Sequence, residues 1–295
     1  MTASALVALA LAHPGEEEEA IGWSFPPSVV IGLAVAAVVY VFLWISMRQR
    51  GQSAPIFRAV SFFAGLVVLG VALCSPIDPF GEEQSFSVHM LQHELLLMVA
   101  PLLLVCGFQQ SLTLPISRAV FNPAVKTRVG RGVLRVVGDP WIVMVLWSAM
   151  VLGWHIPMFY EAALDNPIVH VFEHVSLLTV GLLFWACVGG RLPSVHRTTT
   201  WERVTMLGVA MAVSGALGAI LIWSPTLIYP RYGDGAPMFG LSPLSDQALA
   251  GAIMMAIDMP LLMGALLLVL GRWAKRAAPP AAAPAQLRGK ALSDG

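Results

Sequence analysis

Hydrophobic residues in this chain come in long unbroken runs, separated by short segments that collect the prolines, glycines and charges. Seven runs approach the roughly 20 residues that a helix needs to cross the hydrocarbon core of a bilayer. They are Pro27–Met47, Phe57–Ser75, Ser87–Gly107, Pro140–Trp154, Pro167–Val188, Val204–Trp223 and Asp246–Leu270. No run alternates apolar and polar residues as a membrane barrel strand does, so the fold class predicted is all-α, a polytopic bundle of seven transmembrane helices. The fourth run is short and leaves room for a helix that begins a turn earlier. Local punctuation agrees with these limits. Asn166-Pro167 reads as an N-cap followed by proline at the first helical position. Pro157 disfavours helix at Ile156, so the fourth span is predicted to end near His155.

Composition supports the membrane reading: 57% of the 295 residues are hydrophobic and 12% are charged, against about 25% charged in a soluble domain. Net charge is zero and no basic patch is present, which argues against a nucleic-acid partner. Cys74, Cys106 and Cys187 form no CxxC pair, so neither a disulfide framework nor a thiol redox motif is supported.

The arginines and lysines orient the bundle. Arg48, Arg50 and Arg58 sit in the first loop. Arg118, Lys126, Arg128, Arg131 and Arg135 sit in the third, and Arg191, Arg197 and Arg203 in the fifth. Arg272, Lys275, Arg276, Arg288 and Lys290 follow the last span, whereas the even-numbered loops hold only Arg231. This asymmetry predicts an outer N-terminus and a cytoplasmic C-terminus. Three regions are expected: an outer N-terminal segment over residues 1–26, a membrane domain over 27–272, and a disordered cytoplasmic tail over 273–295. Met1 to Ala12 is signal-like in its apolar run and A-x-A end, but it lacks a basic start.

The orientation gives the histidines meaning. His89 and His93 are four residues apart near the start of one predicted helix, and His170 and His174 repeat that spacing at the start of another. Residues four apart share a helix face, so each pair can approach one ion together. His155 ends a helix that rises to the same side, and His13 lies there too; only His196 falls on the cytoplasmic side. Neutral imidazole is the commonest metal ligand, and a helix N-terminus favours the neutral form. His89, His93, His155, His170 and His174 are therefore the candidate metal ligands. Glu94 and Glu173 adjoin the pairs but point about 100° away, and are expected to orient a histidine on a neighbouring helix. Asp246, at the mouth of the last span, is a cap or a supporting ligand. Copper and zinc both accept imidazole, and nearby Met90 and Met158 tilt the preference toward copper. Asp258 lies about half-way along the last span among Met254, Met255 and Met259, where a carboxylate costs roughly 2.5–3.5 kcal/mol on insertion scales. It is a candidate relay for protons or ions.

Three stretches, HMLQHELLLMVAPLLLV from His89, WHIPMFYEAALDNPIVHVFEHVSLLTVGLLFW from Trp154 and DQALAGAIMM from Asp246, resemble the CtaG-like cytochrome c oxidase assembly factors. The resemblance extends over roughly Phe25 to Arg272. The third stretch departs from the family pattern, because Met255 and Asp258 stand where a tryptophan and then a glycine or proline are usual. The resemblance implies a multi-pass protein of the bacterial inner membrane that matures a haem–copper oxidase by handling copper. His89, His93, His155, His170 and His174 match the family's positions, with Glu94, Glu173 and Asp246 as weaker matches. The partners implied are oxidase subunits and a periplasmic copper carrier. No catalytic triad or nucleotide-binding loop is present, so no enzyme activity is expected. Three other readings stay open: a haem-binding electron-transfer protein, a copper transporter using Asp258 and its methionines as a midway station, and a scaffold that contacts the oxidase through the Arg118–Arg135 loop.

Overall fold

The computed structural model describes residues 22–53, 55–108, 126–190, 198–236 and 239–277, with Arg135 described by its backbone alone. The signal-like segment, His13, Arg118, His196 and the tail beyond Ala277 lie outside the described residues. The described residues form a short 3-10 turn at Pro230–Tyr232 and ten α-helices: α1 Pro27–Gln49, α2 Ile56–Cys74, the short α3 Ile77–Glu83, α4 Phe86–Gly107, α5 Arg128–Gly138, α6 Pro140–Trp154, the short α7 Pro157–Asp165, α8 Pro167–Gly189, α9 Thr200–Trp223 and α10 Pro243–Ala277. Six are long and apolar enough to cross a membrane, and α5 with α6 makes a seventh candidate span bent by 70°. Six of the seven expected spans qualify on their own, and the fourth qualifies only together with α5. The fourth does not begin a turn earlier: α6 starts at Pro140, with the Asp139 carboxylate accepting from the amides of Trp141 at 2.9 Å and Ile142 at 3.2 Å. Asn166 caps α8 as its sequence predicts, accepting from Ile168 at 2.9 Å and Val169 at 3.4 Å.

Helix α4 is the centre of the bundle. It is the most buried span, packing against α2, α3, α8 and α10, while α1 is the least buried. Both its ends are tied to other helices. At its start the buried Asp246 of α10 accepts from the Phe86 amide at 2.7 Å, the Ser87 hydroxyl at 2.5 Å and the Ser85 hydroxyl at 3.0 Å. Asp246 thus satisfies the free donors of a helix other than its own, and a carboxylate there also complements the helix dipole. At its end, the Arg58 guanidinium donates to the carbonyls of Phe108 at 2.9 Å and Cys106 at 3.2 Å, and the Tyr40 hydroxyl donates to Gly107 at 3.2 Å.

In its middle, α4 widens into a π-helical turn over Leu95–Val99, where the Ala100 amide bonds to the Leu95 carbonyl five residues back. Pro101 accounts for the break: it has no N–H for the Leu97 carbonyl, and its ring crowds that oxygen. Helix α8 packs against this turn. A Cβ added to Gly181 would fall on the Leu97 carbonyl oxygen, so only glycine lets the two backbones meet. A similar crossing joins α9 to α10, where a Cβ on Gly251 would stand 2.6 Å from the Gly218 carbonyl oxygen. Small residues at such crossings are how membrane helices approach without a hydrophobic drive between them.

Two outcomes test this arrangement by thermal unfolding of the detergent-solubilised protein. Gly181→Ala is expected to destabilise by about 1–3 kcal/mol through overpacking, whereas Gly208→Ala, with open space around it, leaves stability equal or slightly raised. Asp246→Ala orphans the buried donors at the start of α4 and is expected to cost about 1–3 kcal/mol. Unchanged unfolding in both Gly181→Ala and Asp246→Ala would contradict the packing described.

Candidate metal centre

The cap from Asp246 and the crossing at Gly181 together place the first turns of α4 beside those of α8. His89 and His93 project from α4, and His170 and His174 from α8. The four rings form a closed quartet. Ring centroids are 4.3 Å apart for His89–His93 and 4.1 Å for His170–His174 along each helix. Across the interface they are 5.8 Å for His89–His170 and 5.7 Å for His93–His174. All four are buried, His89 completely. The Nε2 atoms of His89 and His93 are 2.8 Å apart, within hydrogen-bond distance. Two imidazoles sharing a tetrahedral ion with bonds of 2.0–2.1 Å need their nitrogens about 3.3 Å apart, so small rotations suffice to admit one.

Glu173 of α8 completes the deeper group. Its carboxylate is fully buried, with one oxygen 3.7 Å from His93 Nε2 and neither oxygen hydrogen-bonded. Single ligand atoms from His89, His93, Glu173 and His174 all lie within 4.8 Å of one another. A second group with the same closeness consists of Asp78, His170 and His174. Asp78 is on α3 and accepts a hydrogen bond from Gln92 of α4, whose amide also donates to the Ala72 carbonyl at 2.9 Å. Burial pushes the Asp78 carboxyl above its ordinary value, opposed by the Gln92 donor, reinforced by Glu82 and opposed again by His170. The Glu82 carboxylate takes His170 Nδ1 at 2.9 Å. Nε2 of both His170 and His174 is buried without a hydrogen-bond partner.

An aromatic cover lies over the quartet. The Tyr160 ring of α7 sits 5.2 Å from that of His89, and Phe86, Tyr229 and Tyr232 pack around it. The Tyr232 hydroxyl donates to the Gly81 carbonyl at 2.8 Å, so across the 2.9 Å contact between the two phenols Tyr160 is the donor. Burial pushes all three phenols above their ordinary values, which keeps them protonated donors. Gly81 makes the close fit of α3 possible, since a Cβ there would stand 2.9 Å from the His89 backbone.

The remaining sequence candidates divide. His155 stands at the end of α6, its Nδ1 2.7 Å from the Val151 carbonyl and its Nε2 buried without a partner. It belongs to neither compact ligand group. Asp246 serves as the cap of α4 and touches no histidine among its hydrogen bonds. Glu94 turns away from the histidines: its buried carboxyl faces Asp258 of α10, beside the buried Ser214 of α9. Met254 is packed in the core and Met255 lies against Gly218. Met90 is likewise a core residue, and Met158 is exposed. Asp78, Glu82 and the tyrosine cover are absent from the sequence-derived set. Their only signal was the cluster of acidic and aromatic residues in the even-numbered loops.

Residues 38–276 match the model of a family described as the cytochrome c oxidase caa3 assembly factor. The chain is also similar to uncharacterised proteins of Mycobacterium bovis and Mycobacterium tuberculosis, each 25% identical over 263 residues. A Mycobacterium leprae protein is 24% identical over 274 residues. These matches take in 86% of this chain and 40% of each relative, so the chain spans about two fifths of their length. No solved structure matches it. With most of its length under the family model and its helices arranged as membrane spans, the chain belongs to the caa3-type cytochrome c oxidase assembly factor family, a bacterial family of multi-pass membrane proteins.

Proposed function

We propose that this chain binds copper at its histidine quartet and hands it to a haem–copper oxidase maturing in the same bacterial inner membrane. The single observation that carries the reading is the meeting of two i,i+4 histidine pairs, from different spans, in one buried pocket with Glu173. Polar side chains are costly inside a membrane bundle and tend to mark a site. Imidazole suits copper in either common oxidation state and also zinc; an oxidase assembly factor has most use for copper as cargo. The arginine distribution supports an outer, periplasmic position for the quartet, where a soluble carrier would deliver the ion. The ring-to-ring packing favours an ion over haem, because a macrocycle would have to part all four imidazoles. Nothing in the site sets up a nucleophile with its base, so the chain is read as a metallochaperone without enzymatic turnover.

One observation favours a second reading, passage of the ion through the bilayer. Glu94 directly follows His93 in sequence, and its carboxyl faces Asp258 deeper in the bundle. A polar station below an entry site is what a transport path requires.

Two measurements decide. Copper retained by the purified protein after a chelator wash is expected to fall from about one equivalent to near background in His89→Ala/His93→Ala, since two ligands of an imidazole site are gone. Equal copper in wild type and variant would refute the reading. In sealed vesicles, copper uptake by wild type that disappears in Asp258→Asn would establish transport; chaperone function without transport predicts no uptake in either.

A further inference from the structure

The five histidines were expected to form one site, yet the ligand atoms fall into two compact groups that meet at His174. We infer that the quartet contains two cation positions in series: a shallower loading position formed by Asp78, His170 and His174, and a deeper holding position formed by His89, His93, Glu173 and His174. This inference rests on the copper reading above and adds a path to it.

Exposure sets the order of the two positions. Every side chain of the deeper group is buried, with His89 and Glu173 at 0% exposure. In the shallower group Asp78 is only half-buried, and Glu82, which holds His170, keeps 31% of its side chain accessible. An ion arriving from water therefore meets Asp78 first. The chemistry follows the same order. Glu82 holds His170 Nδ1 at 2.9 Å, so its Nε2 lone pair is the one presented to an ion. A carboxylate behind a ligating imidazole in this way fixes the ring and raises its basicity. Nε2 of His170 and of His174 is buried and without any hydrogen-bond partner, with only 8% and 9% of those residues exposed. Two unpartnered nitrogens and one carboxylate make a mixed nitrogen–oxygen set that suits Cu2+. The deeper set is richer in imidazole and closed to solvent. Moving between them, the ion exchanges Asp78 and His170 for His89, His93 and Glu173 while His174 remains a ligand of both positions.

The test uses the full chain in detergent, stripped of metal and titrated with Cu2+, followed by the copper EPR spectrum and by calorimetry. In His89→Ala/His93→Ala the deeper position is lost, and a residual Cu2+ signal with at least about ten-fold weaker affinity is expected from the shallower set. Adding Asp78→Asn to that variant is expected to abolish the residual binding; asparagine keeps the acceptor for Gln92, so the fold is preserved. Glu82→Gln, on a half-exposed side chain, is expected to weaken the residual binding by about ten-fold or more through loss of its hold on His170. In an otherwise wild-type chain, Asp78→Asn should slow Cu2+ loading while leaving the final amount bound unchanged. If His89→Ala/His93→Ala binds no Cu2+ while wild type does, or if its residual binding is indifferent to Asp78→Asn, the shallower position does not exist although the copper reading stands. A wild-type chain that takes up no Cu2+ would overturn both.

Discussion

Everything in this molecule depends on keeping polar side chains inside an apolar bundle where no solvent can satisfy them. An imidazole or carboxylate buried among membrane helices must find its partner within the protein, or on an ion the protein holds. Four imidazoles pack ring to ring between α4 and α8, with Glu173 3.7 Å from His93 and Glu82 2.9 Å from His170, and Nε2 of His170 and of His174 is left without a hydrogen-bond partner in the protein. The quartet is held from outside. Asp246 fixes the start of α4, Arg58 and Tyr40 fix its end, and the glycine crossing at Gly181 sets its distance from α8.

That arrangement explains the irregular middle of α4. A regular helix through Pro101 would leave the Leu97 carbonyl crowded and without a donor. The π-helical turn accommodates the proline, and the missing side chain at Gly181 leaves room for that carbonyl. π-Helical turns frequently accompany functional sites, and this one begins at the residue after Glu94, two residues beyond His93. Glu94 stands just before the turn, and its carboxyl faces Asp258 of α10.

Much of this was legible from the residues. The spans were readable because hydrophobic runs of helix length leave few other structures in lipid, and Asn166-Pro167 marked the start of α8 to the residue. The histidine pairs were readable because a spacing of four fixes a helix face. The partition of those histidines was not, because it depends on Asp78 and Glu82. They stand on a seven-residue helix too short to carry a periodic signal. Asp246 could be recognised as a polar residue at a helix mouth. That it serves α4 could not, since its partners lie about 160 positions away and only the fold joins them. Glu94 was expected to support a histidine on another helix; its neighbour is instead the Asp258 carboxyl, a pairing set by how α4 and α10 cross. The bend between α5 and α6 had a local cause in Asp139-Pro140, a cap followed by a helix-starting proline, which halts one helix and begins another.

The copper site proposed for this protein requires imidazoles from two separate membrane helices to share one ion. X-ray absorption of the copper-loaded protein tests this most directly, since rigid imidazole rings give a characteristic outer-shell scattering. The expected result is an inner shell of nitrogen and oxygen with scattering from at least two imidazoles, reduced when His174 is replaced by alanine. A shell dominated by sulfur, or one without multiple imidazoles, would contradict it.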